Sequence, residues 1–177
     1  MQGVRTNRWG RIILEILPII LMIACIVVDQ ITKFAFKEIY LNGGETVVID
    51  GFFKFTYAEN TGAAWSFLAD VSWGQTFFKV LTGVALIAFI FMYVYAVKNN
   101  FTWLKFALAL IIGGTIGNFI DRLFLGYVID FLGFIFGDYH FPIFNLADSF
   151  LCIGVVMLII HFLFLDESAV FKKNVKE

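Results

Sequence analysis

Histidine and cysteine are nearly missing from this chain, and each shortage removes a class of function. Only His140 and His161 are present, with no HExxH, so no zinc-type constellation can be assembled. The two cysteines, Cys25 and Cys152, both sit inside apolar runs. Packing is the role expected of them, rather than a disulfide or a metal site. Charged residues make up 15% of the chain and no basic cluster marks one face, which leaves no footprint for nucleic acid. There is no GxSxG elbow, and Ser66 and Ser149 have no evident His or Lys partner, Lys33 being the one base left open. What is abundant is apolar: 60% of residues are hydrophobic, 23 of them Phe, and they come in long runs. That composition indicates a membrane protein. The 177 residues suit one integral membrane bundle, taken as a single domain over 1–177, with a monomer as the expected state.

The runs place four spans, at about residues 12–36, 75–97, 103–122 and 144–165. The first carries Glu15, one turn after Arg11 and able to pair with it, and Pro18. No small-residue exit site follows Val28, so a cleaved secretory leader is not expected. Met22-Ile23-Ala24-Cys25 resembles a bacterial lipid-attachment box, but Met22 fits its first position poorly and Cys25 reads as a helix residue. Near the end of this span Asp29 and Lys33 stand four apart and can pair, either to close a helix at the interface or to serve the function directly. The third span contains Gly113-xxx-Gly117, a spacing that admits a neighbouring helix.

Between the first two spans, about residues 41–70, the composition changes. Thr46–Ile49 and Phe52–Tyr57 are β-branched and aromatic, and Asp50-Gly51 between them reads as a hairpin turn. The fold class is therefore a four-helix membrane bundle with a small β-element between helices 1 and 2, lying on the membrane surface. Glu59-Asn60-Thr61-Gly62 follows, where small residues let backbone approach a partner closely.

Arg5, Arg8, Arg11, Lys98, Lys105, Lys172, Lys173 and Lys176 fall on one side of such a bundle. Glu38, Glu45, Asp50, Glu59 and Asp70, against Lys37 and Lys54, fall on the other. The positive-inside rule then puts both termini in the cytoplasm. Asp29, Asn60, Asn118, Asp121, Arg122, Asp130, Asn145 and Asp148 all arrive near the outer face from four parts of the chain. Ionisable groups beside membrane-length apolar runs are functional suspects. Two facing carboxylates tend to share a proton, so one can activate water while the other polarises a carbonyl and protonates a leaving amine. Asp130 and Asp148 are the candidates for that pair, which needs no metal and no cofactor. Asp121, beside Arg122, reads as a paired or orienting carboxylate. Spacing alone serves equally well a catalytic pair and ordinary paired charges at helix ends.

Five blocks carry a resemblance. VVDQITK at Val27–Lys33, ENTGAAWSF at Glu59–Phe67, GGTIGNFIDR at Gly113–Arg122, GYVIDF at Gly126–Phe131 and FNLADS at Phe144–Ser149 resemble, in order, the lipoprotein (type II) signal peptidases of bacteria. The second block usually opens with His or Arg, where this chain has Glu59. The resemblance implies an intramembrane aspartic endopeptidase of the bacterial inner membrane. Such an enzyme removes the signal peptide from diacylglyceryl-modified prolipoproteins, cutting just before the lipidated cysteine. It implies Asp130 and Asp148 as the catalytic dyad. It implies Asn60, Gly62, Asn118, Arg122 and Asn145 around the substrate, Asp29, Lys33 and Asp121 in support, and inhibition by globomycin-type peptides. Membrane lipid and the prolipoprotein are then the partners. Two rivals remain: a small transporter whose carboxylates carry protons or cations, and a non-catalytic lipoprotein assembly factor.

Overall fold

Apolar runs too long for strands form helices, because a helix satisfies its own backbone in lipid. The computed structural model describes residues 8–44, 46–62 and 73–165, without the side chains of Arg8 and Arg11. Arg5, Glu45, Ser66, Asp70, the Ala63–Phe67 part of the second sequence block, Lys172, Lys173 and Lys176 lie outside the described residues, as does any pairing of Arg11 with Glu15. The elements run α1 (Arg8–Leu41), β1 (Thr46–Ile49), β2 (Phe53–Asn60), α2 (Gly74–Lys98), α3 (Thr102–Phe124), β3 (Val128–Phe136), β4 (Tyr139–His140) and α4 (Leu146–Ile160), with a π-helical turn over His161–Leu165. Among the described residues four helical stretches are long and apolar enough to cross a membrane: Ile12–Leu41, Gly74–Lys98, Thr102–Phe124 and Leu146–Leu165.

α3 is the centre of the bundle. Leu104, Ala107, Leu108, Ile111 and Ile112 on it are buried, and α1, α2 and α4 pack around it. Glycines set how closely. A Cβ on Gly113 would meet Cys25 Cβ at 2.8 Å and one on Gly117 would meet Asp29 Oδ2 at 2.5 Å, so the Gly-xxx-Gly pair faces α1. Gly114 instead faces α4, where a Cβ would meet Ala147 O at 2.4 Å. Lower in the bundle Lys105 is buried and pairs with Glu15 at 2.6 Å, so this lysine bridges α3 to α1.

The sheet is larger than the sequence reading foresaw. The β1–β2 hairpin is present, with Gly51 at φ 67° in its turn. To it are added β3 and β4, from between α3 and α4, giving an antiparallel sheet in the order β1-β2-β3-β4. Ala58 lies opposite Asp130 and Asn60 opposite Val128. α1 continues helically past residue 36 to Leu41. Its last turns meet the sheet: Phe36 stacks on Phe55 and Phe131 at centroid distances of 4.3 and 4.7 Å, and Tyr40 stacks on Tyr57 at 5.1 Å.

Candidate active site

The start of α4 builds one half of the site. Asn145 is the N-cap: its side chain accepts from Asp148 N at 3.0 Å, and Asp148 Oδ2 accepts from Asn145 N at 3.2 Å. This reciprocal cap satisfies donors that a helix start leaves orphaned, and it also fixes the Asp148 side chain. The other Asp148 oxygen, Oδ1, accepts from Asn118 Nδ2 of α3 at 2.7 Å.

The sheet builds the other half. Asp130 lies in β3, buried, and accepts from Asn60 Nδ2 at 3.0 Å and from Asn145 Nδ2 at 2.7 Å. Asn60 is held in turn by an Asx turn, its Oδ1 accepting from Gly62 N at 3.0 Å. The ligature Phe131 N and Leu132 N to Phe144 O, at 3.0 and 2.8 Å, keeps the segment entering α4 against β3. Asn145 thus contacts both aspartates. Burial, and then the charge of Asp148, push the Asp130 carboxyl up to about 7, with the amides of Asn60 and Asn145 acting against the rise.

Behind these residues sits a buried cation. Lys33 Nζ lies 2.8 Å from Asp29 Oδ2, 2.9 Å from Asp121 Oδ2 and 2.8 Å from Asn118 Oδ1. The two carboxylates are themselves spoken for. Asp29 Oδ1 accepts from Ala147 N at 2.9 Å, Asp121 Oδ2 from Ile129 N at 3.1 Å, and Asp121 Oδ1 from Gln30 Nε2 at 3.0 Å. Asp121 therefore pairs with Lys33 and not with its sequence neighbour Arg122. Successive helix residues point about 100° apart, which sends Asp121 to α1 and Arg122 to the cavity. The Arg122 guanidinium lies 5.7 Å from the ring centroid of Phe78.

All these groups border one cavity of about 600 Å³ or stand directly behind it. Asn60, Asn118, Arg122, Asp130 and Asp148 line it, Asn145, Lys33 and Gly62 hold liners from outside, and Asp29 and Asp121 hold Lys33 in turn. Sequence reasoning missed the apolar wall: Phe141–Phe144 from the sheet side, and Leu151, Cys152 and Ile153 from α4. Cys152, expected to pack, is exposed and lines the cavity one turn after Asp148. Counting four on from Asp148 was the signal that could have found it. Ser149 also lines the wall, its hydroxyl donating to Asn145 O at 3.2 Å. Among the described residues no cluster of three or more His, Cys, Asp or Glu suits a metal ion.

Known proteins share this architecture. The family model for signal peptidase (SPase) II matches residues 21–164. A lipoprotein signal peptidase of Bacillus pumilus is 46% identical over 144 residues, covering 81% of this chain and 90% of that protein. One from Acinetobacter baylyi is 41% identical over 157 residues, covering 88% and 87%. Among solved structures, a bacterial membrane enzyme determined by the in meso method at 2.3 Å superposes with a TM-score of 0.71 at 36% identity, covering 83% of this chain and 87% of that one. A second, at 1.9 Å, gives 0.71 at 35% identity, with coverage of 85% and 94%. The chain belongs to the signal peptidase II family, which makes it a multi-pass bacterial membrane peptidase acting on the signal peptides of prolipoproteins.

Proposed function

We propose that the chain is an aspartic endopeptidase whose dyad is Asp130 and Asp148, and that it cuts diacylglyceryl-modified prolipoproteins N-terminal to the lipidated cysteine. The observation that carries this reading is the placement of two carboxylates on one cavity with Asn145 hydrogen-bonded to both. The raised Asp130 carboxyl supports it, because a pair sharing one proton holds an acid and a base together near neutral pH.

The ionised carboxylate takes a proton from water as the hydroxyl oxygen adds to the scissile carbonyl carbon. The protonated carboxyl gives its proton to the carbonyl oxygen, producing a neutral gem-diol. Return of a proton to the amide nitrogen then lets the C–N bond break, releasing the signal peptide as an acid and the lipidated cysteine as an amine. Asn60, Asn118 and Arg122 offer donors to an extended substrate backbone, which needs partners where water is scarce. The apolar wall of Phe141–Phe144 and Leu151–Ile153 suits signal-peptide side chains, and a globomycin-type peptide would occupy the same cavity. Both termini lie in the cytoplasm in this reading, following the positive charges, and the dyad lies near the outer leaflet. There the acyl chains of the substrate hold the bond to be cut. The enzyme acts as a single-domain monomer.

The test is cleavage of a diacylglyceryl-modified prolipoprotein by purified wild type, Asp130→Asn, Asp148→Asn and, as control, Asp138→Asn in the exposed β3–β4 turn. Loss of cleavage in the first two with the control active is the expected result. Cleavage retained by either dyad variant would overturn the assignment.

A further inference from the structure

Glu59 departs from the basic residue that usually opens its sequence block, and the structure gives it a specific set of partners. Its Oε1 accepts from the Tyr57 hydroxyl at 2.8 Å. The Tyr57 and Tyr127 hydroxyls are 3.4 Å apart, and Lys37 Nζ donates to the Tyr127 hydroxyl at 3.1 Å. Lys37 also lies 5.7 Å from the Tyr127 ring centroid. A lysine can only donate and a carboxylate can only accept. Each phenol has one proton, and that of Tyr57 is given to Glu59, so Tyr127 must donate to Tyr57. The result is a one-way chain from Lys37 through Tyr127 and Tyr57 to Glu59, with a cation at one end and an anion at the other. Links in such a chain polarise one another. Burial and its partners' hydrogen bonds push the Tyr57 hydroxyl up, which keeps its proton in place as a donor.

The chain connects the elements that hold the dyad. Lys37 stands on α1 one turn beyond Lys33, the cation that anchors Asn118 and through it Asp148. Tyr127 immediately precedes β3, which carries Asp130. Glu59 immediately precedes Asn60, which holds Asp130, and it pairs in register with Ile129. One helix therefore grips the Asp148 half with Lys33 and the Asp130 half with Lys37. We propose that Lys37, Tyr127, Tyr57 and Glu59 form a strut of positioning residues that sets the β2–β3 end of the sheet over the bundle, and so fixes Asp130 relative to Asp148. This rests on the aspartate dyad proposed above.

Four variants, Tyr57→Phe, Tyr127→Phe, Tyr57→Phe/Tyr127→Phe and Glu59→Lys, are compared with Lys37→Glu/Glu59→Lys in the cleavage assay, each over a pH series. Each single Phe variant is expected to lower kcat about fivefold, the rate equivalent of one ordinary hydrogen bond, with KM little changed. The alkaline limb of the pH profile should move as well, since Asp130 then sits differently against Asp148. The double Phe variant should be no worse than either single, because one missing link already breaks the chain. Glu59→Lys sets two cations at the ends of the chain. Reversing both ends restores opposite charges, and the phenols can turn their protons the other way, so Lys37→Glu/Glu59→Lys should recover activity lost in Glu59→Lys. Wild-type kcat and pH profile in the Phe variants, additive Phe effects, or no recovery in the double charge reversal would each overturn the strut. Those outcomes leave the dyad standing as long as Asp130→Asn and Asp148→Asn are inactive, whereas cleavage by either Asn variant removes the dyad itself.

Discussion

The Nδ2 of Asn145 lies 2.7 Å from Oδ1 of Asp130, so the residue that caps α4 is also a direct ligand of the sheet-borne carboxylate. Its backbone N–H meets Asp148 Oδ2 at 3.2 Å, and it is fully buried. The cap and the bridge can be separated by mutation. Asn145→Ser keeps a side chain that caps almost as well as Asn, so the helix start should survive. It removes the amide that reaches Asp130, Asn118 Oδ1 and Ile129 O. Stability should fall by about 1–3 kcal/mol, because the buried Asp130 Oδ1 is left without this donor. The rate of cleavage should fall further, by about 10²-fold, because the proposed dyad loses its shared ligand. Thermal unfolding together with kcat would measure both. A variant that is destabilised but turns over normally would reduce Asn145 to a helix cap.

Lys33 compensates two buried carboxylates at once, Asp29 and Asp121, at 2.8 and 2.9 Å. Lys33→Met leaves both without a cation inside the bundle. Removing one partner of a buried ion pair costs about 3–5 kcal/mol, so the variant should be poorly folded in detergent. Adding Asp121→Asn to it removes one of the stranded charges and should restore part of the melting temperature. A double variant no more stable than Lys33→Met would show that the stranded charge is not the cause of the loss.

Much of this was legible in the chain. The spans follow from apolar runs, and Asp29 and Lys33 four apart on a helix do pair. The β1–β2 hairpin follows from Asp50-Gly51 between aromatic and β-branched stretches. What escaped is non-local. Val128–Phe136 has the Val, Ile and Phe content of a strand, but its partner is β2, across two helices of intervening chain. α1 runs on past residue 36 because Phe36 and Tyr40 find rings on that sheet, a reason no local pattern contains. Lys105 reads as a peripheral positive charge by position, yet it is buried against Glu15 ninety residues earlier.

The pH dependence follows from Asp130. Burial and the Asp148 charge raise its carboxyl to about 7. In the proposed dyad Asp130 is the acid and must carry a proton, which is lost as pH rises through that value. The rate should therefore hold near pH 6 and drop above about 7, approaching tenfold per pH unit. Stability has the same sign. A carboxyl raised on folding adds stability that is fully present below 3.8 and lost as pH rises through about 7. A pH–rate profile in detergent or lipid measures the limb, and a flat rate from pH 7 to 9 would count against Asp130 as the acid.

The glycines of α3 predict how the site tolerates change at a distance. At Gly114 a Cβ would stand 2.4 Å from Ala147 O, on the backbone of α4 one residue before Asp148. Leu151 N follows at 3.2 Å, and both are backbone atoms of the α4 segment, so Gly114→Ala can be accommodated only by pushing α4 away from α3. That shift stretches the 2.7 Å bond from Asn118 to Asp148. Overpacking of this kind costs about 1–3 kcal/mol, and the displaced carboxylate should lose most of its turnover. Gly83 on α2 is the matched comparison, because the nearest atom to a Cβ there is Phe119 Cζ at 3.9 Å, an ordinary contact. Gly83→Ala gains helix propensity without a clash and should be neutral or stabilising by up to about 1 kcal/mol, with normal activity. Melting temperature and kcat for the two variants distinguish a packing effect on the dyad from a general penalty for filling membrane-helix glycines. Equal behaviour of the two would mean that the α3–α4 approach does not set the position of Asp148.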